Sequence, residues 1–330
     1  MASADPLLRL PTMRDDLARI EQTLKDSVTA EDPYLTEIAG HLIAAGGKRQ
    51  RPAFAVLAAA TASAEAVPAT LDAVRGGVSC ELVHLGSLYH DDVMDDAVTR
   101  RTVESVNARW GNLKAILAGD FLLARASEIA ASLGTEVAGL LAATIGRLCE
   151  GQVLELQHTF HAGRTEEQYI RSIEGKTAAL FASSCRIGAI VAGFDRDRIE
   201  GLTRFGRAYG MSFQVIDDVL DVVASSEQLG KPAGHDLVEG VYTLPTLRAL
   251  QGPAGGDLGA LLGGPLEPEE VDKALAIIRG EGAVAAALTA ARAYVDEGRA
   301  ALDALGPSPV VDAMAEASDV LVAQIDDFGY

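Results

Sequence analysis

The chain has 330 residues, 48% of them hydrophobic and 23% charged, an ordinary globular composition with ample material for a large core. Its formal net charge of -19 argues against nucleic acid as a partner, because binding a phosphate backbone needs a basic face. Aromatic residues make up only 5% while Ala, Leu and Gly are plentiful, a mix that favours closely packed helices over sheets.

The first residues, MASADPLLRLPTMRDDLARIEQ, carry charges throughout and have no apolar core like that of a signal peptide. Helical periodicity runs through most of the remaining chain, and no segment alternates convincingly like a strand. A first helix is predicted from about Met13, and Pro52 opens another, as proline does in a first turn. A long apolar helix over about 70–95 leads into a charged loop, 96–104. Helices are then predicted over roughly 112–133, 136–161, 166–192 and 196–224. The segment 225–240 is rich in Gly, Ser and charge and reads as a loop, and shorter helices are expected after the glycine-rich break 252–264.

The most apolar stretch, 178–194, is interrupted by Arg186 and is shorter than the ~20 residues that span a bilayer. A soluble, cytoplasmic protein with one domain over 1–330 is therefore expected, with no transmembrane segment. Cys80, Cys149 and Cys185 lie far apart in helix-like stretches, fit neither a disulfide framework nor a zinc site, and read as small core residues.

One feature repeats. DDVMD (Asp91–Asp95) and DDVLD (Asp217–Asp221) each end a long apolar helix, 217 − 91 = 126 residues apart, too far for a solenoid period but suited to two helical halves that face each other. Positions i and i+4 share a helix face, so Asp91 projects with Asp95 and Asp217 with Asp221. The paired charges repel, and the helix C-terminus adds its own negative partial charge; each effect costs about 0.3–1 kcal/mol per group. A local rule broken twice without structural gain points to function. Divalent cations supply the gain: magnesium is held by one or two carboxylates plus substrate phosphates.

Cations gather in the same parts of the sequence. GGKRQRP (46–52) sets Lys48, Arg49 and Arg51 beside two glycines at a helix start, a good diphosphate cradle. Arg100 and Arg101 follow the first aspartate cluster, and His84 lies two helical turns before Asp91 on the same face. Lys176, Thr177, Gln214, Lys231 and Asp236 complete the candidates near phosphate.

GGKRQRP, HDDVMDDAVTRR, GKT, FQVIDDVLD and GKPAGHD occur here in the order seen in trans-polyprenyl diphosphate synthases, a family that this chain resembles over about 46–247. HDLVEGVYTLP and NARWGN…AGDFLLA look most like its long-chain members. The resemblance implies an all-α isoprenoid synthase fold, a large helical bundle around a central active-site cavity, and a homodimer. It implies a prenyltransferase that joins an allylic diphosphate to isopentenyl diphosphate, repeatedly, to a long-chain product that makes transient membrane contact on release. Lys48, Arg51, His84 and Arg101 would bind isopentenyl diphosphate. Asp91, Asp95, Asp217 and Asp221 would ligate two or three magnesium ions on the allylic diphosphate, with Arg100, Lys176, Thr177, Gln214 and Lys231 around that group. The allylic C–O bond breaks to a cation, which the Gln214 carbonyl and Thr177 hydroxyl stabilise; isopentenyl diphosphate attacks, and the released diphosphate takes the proton. Where the family usually has glycine after the arginine pair, this chain has Thr102, which stiffens the loop.

Rival assignments fit fewer residues. Glu81–His84 and Glu155–His158 are Glu-x-x-His motifs of the kind used in di-iron carboxylate bundles, but iron leaves both aspartate clusters without work. A terpene cyclase would not need the GGKRQRP cradle, and a non-catalytic partner subunit would not need aspartates and arginines in both halves. A short-chain farnesyl or geranylgeranyl diphosphate synthase is the nearest alternative. Against it, Gly76, Cys80, Val83 and Ser87 form a stripe of small residues about 16 Å long on the helix before Asp91, with Gly86 beside it. This stripe leaves room for a deep apolar tunnel. Ser87→Phe is expected to shorten the product, as mass spectrometry would show; chains of unchanged length would mean that the tunnel runs elsewhere.

Overall fold

The computed structural model describes residues 6–63, 65, 67–225, 233–280, 282–325 and 328. Its first half contains α1 (Met13–Ser27), α2 (Pro33–Ala44), α3 (Gln50–Ala60), α4 (Leu71–Met94), a short α5 (Val106–Trp110), α6 (Asn112–Ser132) and α7 (Thr135–Leu156). The second half continues with α8 (Glu166–Ile173), a π-helical turn (Glu174–Ala178), α9 (Ala179–Val191) and α10 (Arg196–Val223). It closes with α11 (His235–Val238), α12 (Leu244–Leu250), α13 (Gly255–Leu261), α14 (Pro268–Gly280), α15 (Ala283–Asp303) and α16 (Pro309–Ala323). The expected all-α fold is observed.

Local chemistry sets many of the boundaries. The Thr70 hydroxyl caps α4 by accepting from the Ala73 amide, and Asp195 caps α10 by accepting from Arg198. Thr165 and Gln168 form a reciprocal capping box on α8. These side chains satisfy amides that a helix start leaves without partners.

Several expectations change. The charged loop after α4 contains a two-residue hairpin, Thr99–Arg100 paired antiparallel with Val103–Glu104. Its turn residues, Arg101 and Thr102, both have positive φ, 52° and 65°. A two-residue turn of this hand prefers glycine at its second position, so Thr102 sits where a β-branched side chain is strained. The helix expected over 166–192 is broken by the π turn, and the one expected over 136–161 ends at Leu156. The glycine-rich break holds α13, and α15, at 21 residues, is not short. Among the described residues α7 is long and apolar enough to cross a membrane by length and composition alone, which 178–194 is not, and 22% of its apolar window is buried.

Apolar side chains form two groups that share α10. One joins α1–α4, α6, α7, α9, the first half of α10 and α16; the other joins α8, the second half of α10 and α11–α15. Where α3, α9 and α10 meet, Phe54, Phe181, Phe205 and Tyr209 cluster, with Phe54 and Tyr209 ring centroids 4.4 Å apart. Helices α3 and α9 approach so closely that a Cβ on Gly188 would lie 2.0 Å from the Ala55 carbonyl oxygen. Gly188→Ala is expected to lower stability by about 1–3 kcal/mol by overpacking against backbone. Gly139→Ala, on an exposed part of α7 with nothing within 4 Å, is expected to raise it by about 0.5–1 kcal/mol. Thermal unfolding of both variants checks the contrast.

Candidate active site

The C-terminal ends of α4 and α10 open onto one cavity of about 730 Å³. Asp91 and Asp95 line it from α4, Asp217 from α10, and Lys176 and Thr177 from the π turn. Lys48 and Arg51 enter from the start of α3, His84 from α4, and Arg100 and Arg101 from the hairpin. Gln214 and Asp236 line it as well. The residues singled out in both halves of the sequence thus converge, with three exceptions: Asp221, most of the small-residue stripe, and Lys231, which lies outside the described residues.

Burial raises the Asp91 and Asp95 carboxyls above the usual range; Lys176 and Arg100 oppose the shift, and for Asp91 the neighbouring Asp95 adds to it. Asp92, on the other side of the helix, is fully buried, and Arg100 grips its Oδ1 with Nε at 2.7 Å and Nη2 at 2.6 Å. Arg100 therefore both anchors α4 and faces the cavity. On α10, Asp217 is exposed at the cavity while Asp218 is buried beneath it. Tyr169 Oη donates to Asp218 Oδ2 at 2.6 Å and Gln214 Nε2 donates to Oδ1 at 2.8 Å. Burial still pushes the Asp218 carboxyl up to about 7.

Those bonds orient the two expected dipoles. Thr177 Oγ1 donates to Gln214 Oε1 at 2.7 Å, which commits the Thr177 proton and leaves its lone pairs to the cavity. Asp221, by contrast, is buried and does not line the cavity. Its Oδ2 accepts from the Asp236 amide at 3.1 Å and its carbonyl from Gly234 at 2.9 Å, so it fastens the loop that carries Asp236.

The basic turn divides in the same way. Arg49 has a left-handed backbone, φ 48°, and turns inward to Glu21 at 2.8 Å and Glu81 at 3.1 Å. It also donates to the carbonyls of Ile43 and Gly46. Lys48 is exposed, and the Arg51 guanidinium lies 4.6 Å from the Phe181 ring centroid. Arg101 donates to the Gly46 and Leu42 carbonyls, which ties the hairpin to the turn. Burial, then Arg51 and Arg101, pull the His84 pKa well below its ordinary value, so its imidazole is neutral.

The π turn brings Lys176 forward. A Cβ on Gly151 of α7 would lie 2.5 Å from the Lys176 amide nitrogen, so only glycine lets α7 pack against that backbone. One turn further along α7, Glu155 meets the Lys176 ammonium at 2.6 Å. Glu81 and Glu155 are thus both engaged by cations, and among the described residues neither Glu-x-x-His pair joins a cluster able to hold a metal, so a di-iron site is not favoured.

Two further expectations are corrected. Of the small-residue stripe only Ser87 lines the cavity. Cys80 and Val83 are buried in the core, Gly76 packs against Ile187 of α9, and Gly86 packs against Gly119 and Leu123 of α6. Leu148, Cys149 and Val153 of α7 line the same cavity. Cys149 is therefore an exposed residue at the cavity wall, not a core residue like Cys80 and Cys185. Sequence reasoning missed Tyr169 and Arg164 and gave Glu155 only an iron-ligand role. Each acts across a tertiary contact, and no local pattern signals it.

Among the described residues, no three His, Cys, Asp or Glu side chains converge tightly enough to hold a metal ion unaided. That fits magnesium, which takes a minority of its ligands from protein and the rest from phosphate and water. Hard carboxylate oxygens on two facing helix ends are the right donors for it.

Comparison with known proteins agrees with this geometry. A family model described as "Polyprenyl synthetase" matches residues 32–278. The chain is 38% identical over 315 residues to a nonaprenyl diphosphate synthase of Mycobacterium tuberculosis, covering 94% of this chain and 93% of that protein. It is 36% identical to a geranylgeranyl diphosphate synthase of Methanosarcina mazei, covering 86% and 88% respectively. Its fold is similar to the crystal structure of a polyprenyl synthase from Caulobacter crescentus complexed with calcium and isoprenyl diphosphate. There the TM-score is 0.89 at 33% identity, over 98% of both chains.

The split within the basic turn is testable. Arg49→Met leaves Glu81, 2% exposed, as a buried unpaired charge and is expected to cost about 3–5 kcal/mol of stability. Lys48→Met, at an exposed position, is expected to leave thermal unfolding unchanged while weakening substrate binding.

Proposed function

Because this chain belongs to the polyprenyl synthetase family, we propose that its cavity joins an allylic diphosphate to isopentenyl diphosphate and extends the chain by repeated condensation. The observation that carries the assignment is the meeting of Asp91, Asp95 and Asp217 with Lys48, Arg51 and Lys176 around one cavity. Its volume, about 730 Å³, is in the range of small-molecule sites and suits two diphosphates with a short prenyl tail.

Asp91, Asp95 and Asp217 are the carboxylates that would hold magnesium on the allylic diphosphate; Asp221 fastens the segment that carries Asp236. Bound magnesium supplies neutralisation of the charge that develops on the departing diphosphate. Lys176 and Arg100 add fixed cations on the same side. The Thr177 lone pairs, held by the bond to Gln214, face the allylic carbon as it becomes positive. Lys48, Arg51 and Arg101 position isopentenyl diphosphate opposite, and neutral His84 adds a hydrogen bond without further charge. The side chains of α4, α7 and α10 screen the cation from water.

The names of relatives do not fix the product, since nonaprenyl and geranylgeranyl diphosphate synthases are both similar. The small Ser87 at the cavity wall favours a long chain, growing past Ser87 of α4 and the α7 residues that line the same cavity. We infer a cytoplasmic homodimer that pairs through α6, where Leu113, Ile116 and Leu117, at i, i+3 and i+4 on one helix face, are exposed. Pairing there would take these apolar side chains out of water.

Incubation with isopentenyl diphosphate, allylic primers of several lengths and magnesium, with mass spectrometry of the products, tests the assignment. Chelation is expected to abolish product. Asp91→Asn is expected to lower kcat about 10²–10³-fold, the usual scale for losing one electrostatic contact to a transition state. Absence of elongation with every primer would overturn it.

A further inference from the structure

Arg164 ends the loop between α7 and α8, lines the cavity and is 5% exposed. Its Nη1 donates to the Tyr242 carbonyl at 3.2 Å, and its guanidinium carbon lies 5.5 Å from the Tyr169 ring centroid. Nε and Nη2 are buried and have no hydrogen-bond partner. Two orphaned donors on one buried cation are costly, and a site keeps them when another state gives them a partner.

That partner is in the same wall. Glu155, its side chain 15% exposed, holds Lys176 at 2.6 Å. Of the charges that favour the protonated form, Glu155 acts most strongly on both Lys176 and Arg164. One carboxylate thus acts on two cations that line the same cavity, one satisfied by it and one left with free donors. A diphosphate that captures Lys176 must break the bond to Glu155 and would face an unpaired carboxylate of like sign.

We propose that Glu155 changes partner on substrate binding: it holds Lys176 while the cavity is empty and passes to Nε and Nη2 of Arg164 when a diphosphate takes Lys176. Arg164 and Glu155 are then positioning residues, which act through Lys176. The exchange gives the Lys176 ammonium a partner in the empty enzyme and removes repulsion in the loaded one. It rests on the assignment of Lys176 to the diphosphate.

The test is calorimetric titration of inorganic diphosphate with magnesium into the full chain and its variants. Arg164→Met is expected to weaken binding about tenfold, the scale of coupling between neighbours in one network. Arg164→Lys restores part of the loss. Glu155→Gln frees Lys176 and binds at least as tightly as the wild type, and Arg164→Met has no further effect in that background. Equal weakening by Arg164→Met with Glu155 or Gln at 155 overturns the exchange, because a direct phosphate contact or a purely structural role predicts it. If Arg164→Met does not fold by circular dichroism, Glu155→Gln decides: weaker binding than wild type overturns the proposal. Failure of the wild-type chain to bind diphosphate with magnesium instead overturns the functional assignment beneath it.

Discussion

The organisation of this molecule depends on the confinement of Asp91, Asp95 and Asp217 in one cavity. Like charges at the ends of two helices disfavour folding, and the helix dipoles make the conflict worse. The fold tolerates it by facing the same cavity with cations from other elements: Lys176 from the π turn, Arg100 and Arg101 from the hairpin, Lys48 and Arg51 from α3. The neutralisation is incomplete, which is why burial still lifts the Asp91 and Asp95 carboxyls. A site left in this state has affinity for hard cations and for the anions that bring them.

Within each motif, neighbouring residues of one type do different work, divided by which way the backbone turns them. Arg49 is a structural cation sealed against Glu81, whereas Lys48 one residue earlier is exposed at the cavity. Asp92 grips Arg100 inside the core while Asp91 lines the cavity. Asp218 orders Gln214 and Tyr169, Asp217 meets the cavity, and Asp221 fastens the adjoining loop. Charged clusters of this kind are partly scaffolding, and the scaffolding half sets the orientation of the catalytic half.

The π turn is where scaffold and chemistry meet. An uninterrupted α-helix over 166–191 would rotate Lys176 and Thr177 to other faces, and π turns of this kind are common at functional sites. Here the extra residue is held by the close approach of Gly151 to the Lys176 backbone, so the geometry of one lysine depends on a glycine 25 residues earlier (176 − 151) on another helix.

Much of this was legible in the chain itself. Apolar periodicity and caps such as Thr70 and Asp195 define the long helices, because they are local and repeated. The doubled aspartate spacing and the cations around it identify the chemistry, because carboxylates at i and i+4 share a face in any helix. The sequence could not say that Gly76, Cys80, Val83 and Gly86 serve helix packing and not a tunnel, since small residues satisfy either purpose. Nor could it show the break at Glu174–Ala178, the burial of Asp221 or the pairing of Glu155 with Lys176. Each of these is decided by contacts between segments distant in the chain, where the packed surroundings override what a residue and its near neighbours prefer.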